Sequence, residues 1–254
     1  MEYLGRLTWI DFTVIALSFR KEPKMPRMKR SHQEIDSVKE KILKEALELI
    51  IKEGLEGFSL RKLGPRLGIA PKTIYNYFRN KDEIHLIILT RGFEELNDRL
   101  MKASSGKTTP LEKLTEMMRA YFNFAFDNPH VYNIMFTWPV PRYRDLVVPE
   151  LRDVAQTEFL TFQKTVSLMT DVIKQFGPPQ KPISDEEAKF HLMNLWCTGH
   201  GYLAGCLNSM LDYLVESPIQ LRDIMLDRIL YNFKQDMMAR TKYTSARPSS
   251  GSNQ

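Results

Sequence analysis

Between Phe58 and Ile84 the chain reads Phe-Ser-Leu-Arg-Lys-Leu-Gly-Pro-Arg-Leu-Gly-Ile-Ala-Pro-Lys-Thr-Ile-Tyr-Asn-Tyr-Phe-Arg-Asn-Lys-Asp-Glu-Ile. Two populations of side chain share this run at helical spacing. Leu60, Leu63, Leu67, Ile69, Ile74 and Phe78 fall where a small core needs them, and the outward positions are basic, hydroxylic or aromatic. From residue 54 to 81 there are six Lys and Arg against a single acid, Glu56. Ammonium, guanidinium and hydroxyl groups on one short surface are suited to approaching phosphate oxygens.

A second group of residues offers apolar chemistry. Segments 117–138 and 159–169 hold Met117, Met118, Tyr121, Phe122, Phe124, Phe126, Met135, Phe136, Trp138, Phe159, Phe162 and Met169. Such side chains line apolar cavities and equally well fill cores. Further on, Trp196 and His200 stand one helical turn apart beside Gly199, Gly201, Ala204 and Gly205, small residues that let another helix approach closely. The candidate ligand-binding set is Tyr121, Phe122, Met135, Phe136, Trp138, Phe162, Trp196 and His200. Cys197 and His200, at i and i+3, have the types of a nucleophile and a base, but no convincing orienting acid or oxyanion device accompanies them. No catalytic residue and no enzymatic activity are therefore expected. His191 and His200 make no metal-binding spacing with a nearby acid, so neither a metal nor a cofactor is expected.

The elements that must position these groups are helical. Nearly every segment longer than ten residues has helical periodicity, and strand-like runs bounded by turn signals are scarce, so the expected fold is all-α. A first helix is predicted from about Ile35 to Glu53, stopped by Gly54. Ser59 reads as the N-cap of a short helix closed by Gly68, and Pro71 opens another that reaches Tyr77 or Phe78. Asn80 caps a long helix from Lys81 to about Met101. The polar linker Ala103–Thr108 precedes Thr109-Pro-Leu-Glu112, a capping box, and Ser184 with Glu187 is a second one. The remaining helices are expected near 110–127, 150–176, 184–213 and 218–238.

Of 254 residues, 36 are Lys or Arg and 31 are Asp or Glu. The basic excess lies toward the N-terminus: residues 21–81 carry 15 basic and 8 acidic side chains. Two cysteines, Cys197 and Cys206, match neither a redox pair nor a zinc knuckle, which fits a reducing cytoplasm. The apolar stretch Leu7–Phe19 is interrupted by Asp11 and is too short to span a bilayer; no membrane association is expected. Residues 1–30 read as an N-terminal extension, disordered or lying upstream of a true start at Met25 or Met28, and residues 241–254 read as a flexible tail.

Two short helices joined by a tight turn and supported by a longer one form the smallest unit that holds an α-helix rigidly in the major groove. The run Thr73-Ile-Tyr-Asn-Tyr-Phe-Arg-Asn-Lys81, with the helices around it over about residues 35–101, resembles the N-terminal domain of the tetracycline-repressor (TetR) family of regulators. That resemblance implies a three-helix helix-turn-helix DNA-binding domain at residues 31–82. A larger helical ligand-binding and dimerisation domain would follow at 83–240, joined through the helix at 81–101. Lys72, Thr73, Asn76 and Tyr77 would face the major groove, Tyr75 and Lys81 would grip phosphates, and Ser59 and Arg61 would do the same from the preceding helix. The implied partners are a pseudo-palindromic double-stranded DNA operator, a second copy of the chain and a small hydrophobic or amphipathic effector. In the dimer, helices 184–213 and 218–238 would pair through residues such as Leu195, Leu203, Leu214, Leu221 and Ile229. The function so implied is a dimeric repressor released from its operator by ligand. The alternatives are a DNA-binding regulator without an inducer, and a helical enzyme or scaffold. Two positions depart from the family pattern: Ala70 replaces a capping serine, and Pro65 sits inside the second helix, where it is expected to remove a hydrogen bond and bend the axis.

Overall fold

The structure, a computed structural model, describes residues 31–137 and 149–239, and every regular element among them is helical. The expected extension at 1–30, the tail at 241–254 and Trp138 lie outside the described residues. The first helix, α1 (His32–Gly57), starts earlier than its apolar periodicity because Ser31 builds a capping box: its hydroxyl accepts the Glu34 amide at 3.2 Å, and the Glu34 carboxylate accepts the Ser31 amide at 2.8 Å. Gly54, expected to end the helix, takes φ 74° and interrupts it, and the chain winds on to Gly57.

Helix α2 (Leu60–Arg66) is capped by Ser59, whose hydroxyl accepts the Lys62 amide at 3.3 Å. Helical backbone runs through the exposed Pro65 to Arg66, and the amide that proline lacks would have pointed at the Arg61 carbonyl on an exposed face. The turn that follows is a Schellman closure: Gly68 adopts φ 65°, and the Ile69 amide reaches back to the Gly64 carbonyl at 3.0 Å. Helix α3 (Pro71–Ile74) begins without a side-chain cap at Ala70 and continues as turns to Phe78. Gly64 sets how closely α2 and α3 meet, since a Cβ there would lie 2.9 Å from both the Ile69 carbonyl oxygen and the Pro71 ring.

Asn80 caps α4 (Lys81–Ser104) by accepting the Glu83 amide at 2.9 Å, and the Thr109–Glu112 capping box opens α5 (Pro110–Asp127). A separate helix that the periodicity did not reveal, α6 (Pro129–Phe136), starts at Pro129 after a break at Asn128. Beyond it, a 3-10 turn leads into α7 (Arg152–Lys174). Ser184 caps α8 (Asp185–Leu207), and α9 (Arg222–Ala239) ends the described chain. Helix α8 stops six residues short of the expected 213, because Asn208 leaves helical geometry and Ser209 takes φ 55°.

One apolar cluster runs from Ile42 in α1 to Phe233 in α9. Helix α4 lies at its centre, against α1 on one side and α5, α6 and α7 on the other. Ile42, Leu63, Ile74 and Ile84 are fully buried where the first three helices meet α4. Burial of side chains of this size stabilises by roughly 1.5–3 kcal/mol each, enough to hold so short a motif in one shape.

Candidate nucleic-acid interface and internal cavity

The cations from α2 to the start of α4 fall into two classes. Lys62 on α2 pairs with Glu53 of α1 at 2.6 Å and donates to the Gly57 carbonyl, and Arg66 reaches Glu45 at 3.1 Å and Glu48 at 3.3 Å. These two basic groups fasten α2 to α1 and are partly neutralised. Arg61, Lys72, Arg79 and Lys81 are exposed and enter no ion pair among the described residues. They form the unneutralised part of the surface.

On α3 and the turn after it, Lys72 and Asn76 are exposed, Tyr75 is 58% exposed, and Thr73 is half-buried. An aromatic side chain so exposed on a small, well-packed motif is free to meet a partner. Tyr77, expected beside them, is instead half-buried and packs on the core of the motif, which leaves it poorly placed to read a base edge. Ser59 likewise spends its acceptor on the helix cap. Its hydroxyl proton stays available for a phosphate.

A cavity of about 950 Å³ opens among α4 to α8. Leu89, Phe93, Leu96 and Leu100 of α4 form one side, and Met118, Tyr121, Met135 and Phe136 line another. Across it stand α7 with Glu158, Phe159, Phe162, Thr165, Val166 and Met169, and α8 with Lys189, Leu192, Met193 and Trp196. Edge contacts link Phe162 to Phe93 at 5.3 Å and Phe93 to Phe136 at 5.6 Å, and Phe136 lies 6.1 Å from Trp196. The cavity therefore has a continuous aromatic wall. Gly92 adjoins it: a Cβ there would meet Met135 Sδ at 2.5 Å, so α4 and α6 touch at close to their minimum separation.

Five of the predicted lining residues, Tyr121, Met135, Phe136, Phe162 and Trp196, are brought together here. Phe122 is not among them. It is buried behind the wall, stacked on Tyr202 at 5.8 Å and facing Gly199. His200 also stands behind, stacked on Trp196 at 4.9 Å, with Nδ1 in a 2.7 Å hydrogen bond with the Tyr132 hydroxyl. Tyr132 in turn shares a 2.7 Å bond with Tyr121, whose phenol burial holds well above the usual tyrosine range. His200 is thus the end of a buried hydrogen-bonded row, and burial lowers its pKa. Cys197 is exposed and, among the described residues, makes no hydrogen bond with His200, whose Nδ1 is engaged by Tyr132.

Among the lining residues, sequence reasoning overlooked Glu158 and the whole α4 side. Glu158 is half-buried, and burial pushes its carboxyl above the usual range. Among the described residues no group of three or more His, Cys, Asp or Glu could hold a metal, and no helix is long and apolar enough to cross a membrane.

Residues 42–86 match the family model for bacterial regulatory proteins of the tetR family, and residues 114–229 match that for the tetracyclin repressor-like C-terminal domain. The chain belongs to the TetR family. An HTH-type transcriptional regulator of Mycobacterium tuberculosis is 24% identical over 110 residues, 42% of this chain and 47% of that protein. The matched stretch spans about half the length of such curated relatives. A tetR-family regulatory protein from Rhodococcus RHA1 superposes with a TM-score of 0.57 at 13% identity, covering 76% of this chain and 94% of its own. The FadR regulator of Bacillus subtilis, solved with stearoyl-CoA, gives 0.55 at 15% identity, covering 76% and 97%. These two likenesses concern the TetR fold alone.

Proposed function

We propose that this TetR-family chain is a dimeric DNA-binding transcriptional repressor, released from its operator when a small apolar or amphipathic molecule enters the cavity. The observation that carries the reading is the double role of α4. Its residues Leu89, Phe93, Leu96 and Leu100 line the cavity. The same helix grips the N-terminal motif through Ile84 and through Arg91, whose guanidinium makes a paired hydrogen bond with Glu40 of α1 at 2.7 and 2.5 Å. A molecule that favours one position of α4 over another shifts the population of head positions and so the affinity for DNA.

In this reading the head, residues 31–82, contacts DNA. Arg61, Tyr75 and Lys81 hold phosphates, with Ser59 contributing its hydroxyl proton, while Lys72, Thr73 and Asn76 meet base edges and Tyr77 supports them from the core. The effector contacts Tyr121, Met135, Phe136, Phe162 and Trp196 in the domain at 83–240. The stearoyl-CoA bound by the B. subtilis neighbour supports an amphipathic class of effector. Dimerisation is supported by apolar groups left exposed in the segment between α8 and α9 and in the first turn of α9: Met210 at 68%, Tyr213 at 93%, Leu214 at 77% and Ile224 at 65%. Of the residues expected in that interface, Leu214 and Leu221 are exposed, whereas Leu195, Leu203 and Ile229 are buried inside the protomer and are unable to meet a second copy. Two heads about 34–36 Å apart would read successive major grooves.

Binding of the full chain to DNA from upstream of its own gene, followed by fluorescence anisotropy over a range of salt, tests the proposal. A regulator gives sequence preference with a steep salt slope. An enzyme or scaffold gives neither, and a regulator without an inducer gives both with no ligand that weakens them.

A further inference from the structure

The cavity is apolar almost throughout, yet Glu158 of α7 opens onto it. No basic side chain pairs with this carboxylate among the described residues. Lys189, the other charged lining residue, stands on α8, is exposed to solvent and makes no ion pair with Glu158. A half-buried acid without a counter-charge is costly, and a helix facing an apolar space has no packing need for one. Around the same space run the faces and edges of Phe93, Phe136, Phe162 and Trp196. Aromatic rings attract cations through their quadrupoles, and they do so more strongly where water is excluded.

We propose that the effector of this chain is a lipophilic organic cation, an amine or quaternary ammonium on an apolar body, whose positive head pairs with Glu158 among the aromatic rings. The inference rests on the reading of the cavity as the effector site. It narrows the class to one sign of charge. Burial holds the Glu158 carboxyl above its usual range, and a bound cation relieves that cost by supplying the missing partner. The hydrated Lys189 ammonium, at an exposed position, offers an anionic head a weaker hold than Glu158 offers a cation.

Three probes with the same ten-carbon chain separate the possibilities: decyltrimethylammonium, decanol and decanoate, each titrated calorimetrically into the full-length protein below its aggregation concentration. The cation is expected to bind at least about tenfold more tightly than the alcohol, with decanoate weakest. In Glu158→Gln the cation-to-alcohol ratio is expected to fall to about one, while Lys189→Gln keeps it; circular dichroism and thermal unfolding confirm that both variants fold. Equal binding of all three probes, or tightest binding by decanoate that is lost in Lys189→Gln, overturns the cationic assignment and leaves the cavity as an effector site. Failure of every probe to bind the wild type overturns both.

Discussion

The DNA-facing head and the cavity of this chain are both assembled from helices, but they are specified in opposite ways. In the head, the side chains proposed to meet DNA lie on outward positions of a motif whose inner positions are nearly forced: Leu63, Ile74 and Ile84 are fully buried, and Gly64 and Gly68 fix the turn between α2 and α3. Little freedom remains, so the order of residue types reveals the surface. In the cavity, the proposed effector contacts lie on positions contributed by five helices, and the same residue types would serve equally well as core. Chemistry carried on the outside of a small core and chemistry carried on the inside of a larger one leave different marks in a sequence.

The largest expected effect separates the two regions. Leu63→Ala removes a fully buried side chain at the junction of α1, α2 and α3 and should cost about 2–5 kcal/mol of stability, with DNA binding abolished. Urea unfolding and anisotropy measured together check this; a loss of DNA binding with unchanged stability would show that the motif is not held by its core.

Next in size is a pH effect at the junction. His85, in the second turn of α4, is buried with Nε2 lacking a hydrogen-bond partner among the described residues, and burial pushes its pKa down to about 4. The folded state therefore resists a proton that the unfolded chain accepts near 6.5. Stability from this site is full above pH 6.5 and falls by about 3 kcal/mol as pH drops toward 4. Unfolding curves for wild type and His85→Gln across that range should converge in slope at neutral pH and separate in acid; parallel curves throughout would refute it.

A pair of glycine substitutions sharpens the contrast further. Gly64→Ala sets its Cβ against a backbone carbonyl and a proline ring, which cannot yield cheaply, and should cost about 1–3 kcal/mol together with DNA binding. Gly92→Ala meets the flexible Met135 side chain and should cost less, about 1 kcal/mol, while pushing Met135 into the cavity and weakening ligand more than DNA. Identical phenotypes for the two would mean that head and cavity are not separable. The smallest effect is that of Lys81→Gln at the exposed start of α4: binding to all sequences weakens alike, and the salt slope falls by about one.

The legible features were those decided locally. Ser59, Asn80 and Thr109 begin helices because their side chains satisfy amides three residues on, and Gly68 ends one because it takes a positive φ; such events depend on a few neighbouring residues. All but one of the misses were decided by distant partners, and the exception is local. Asn128-Pro129 starts a new helix within an apolar run whose periodicity does not announce it. Phe122 and Trp196 are both large and aromatic, but packing against Tyr202 buries the first while the second meets the cavity. Glu158 looked like any solvent-facing acid, since only the arrangement of α4, α7 and α8 gives it an apolar space to face. Tyr75 and Tyr77 are two residues apart and of one type, and only the fold exposes the first and turns the second onto the core.

The central claim is that cavity and head are coupled through α4, and linkage gives it a direct test. The affinity of the full-length protein for its upstream DNA is measured by anisotropy with and without saturating decyltrimethylammonium, and the affinity for that probe is measured with and without DNA. The account predicts that each partner weakens the other by the same factor, about 5- to 150-fold. Probe binding in the cavity that leaves the affinity for DNA unchanged would contradict it.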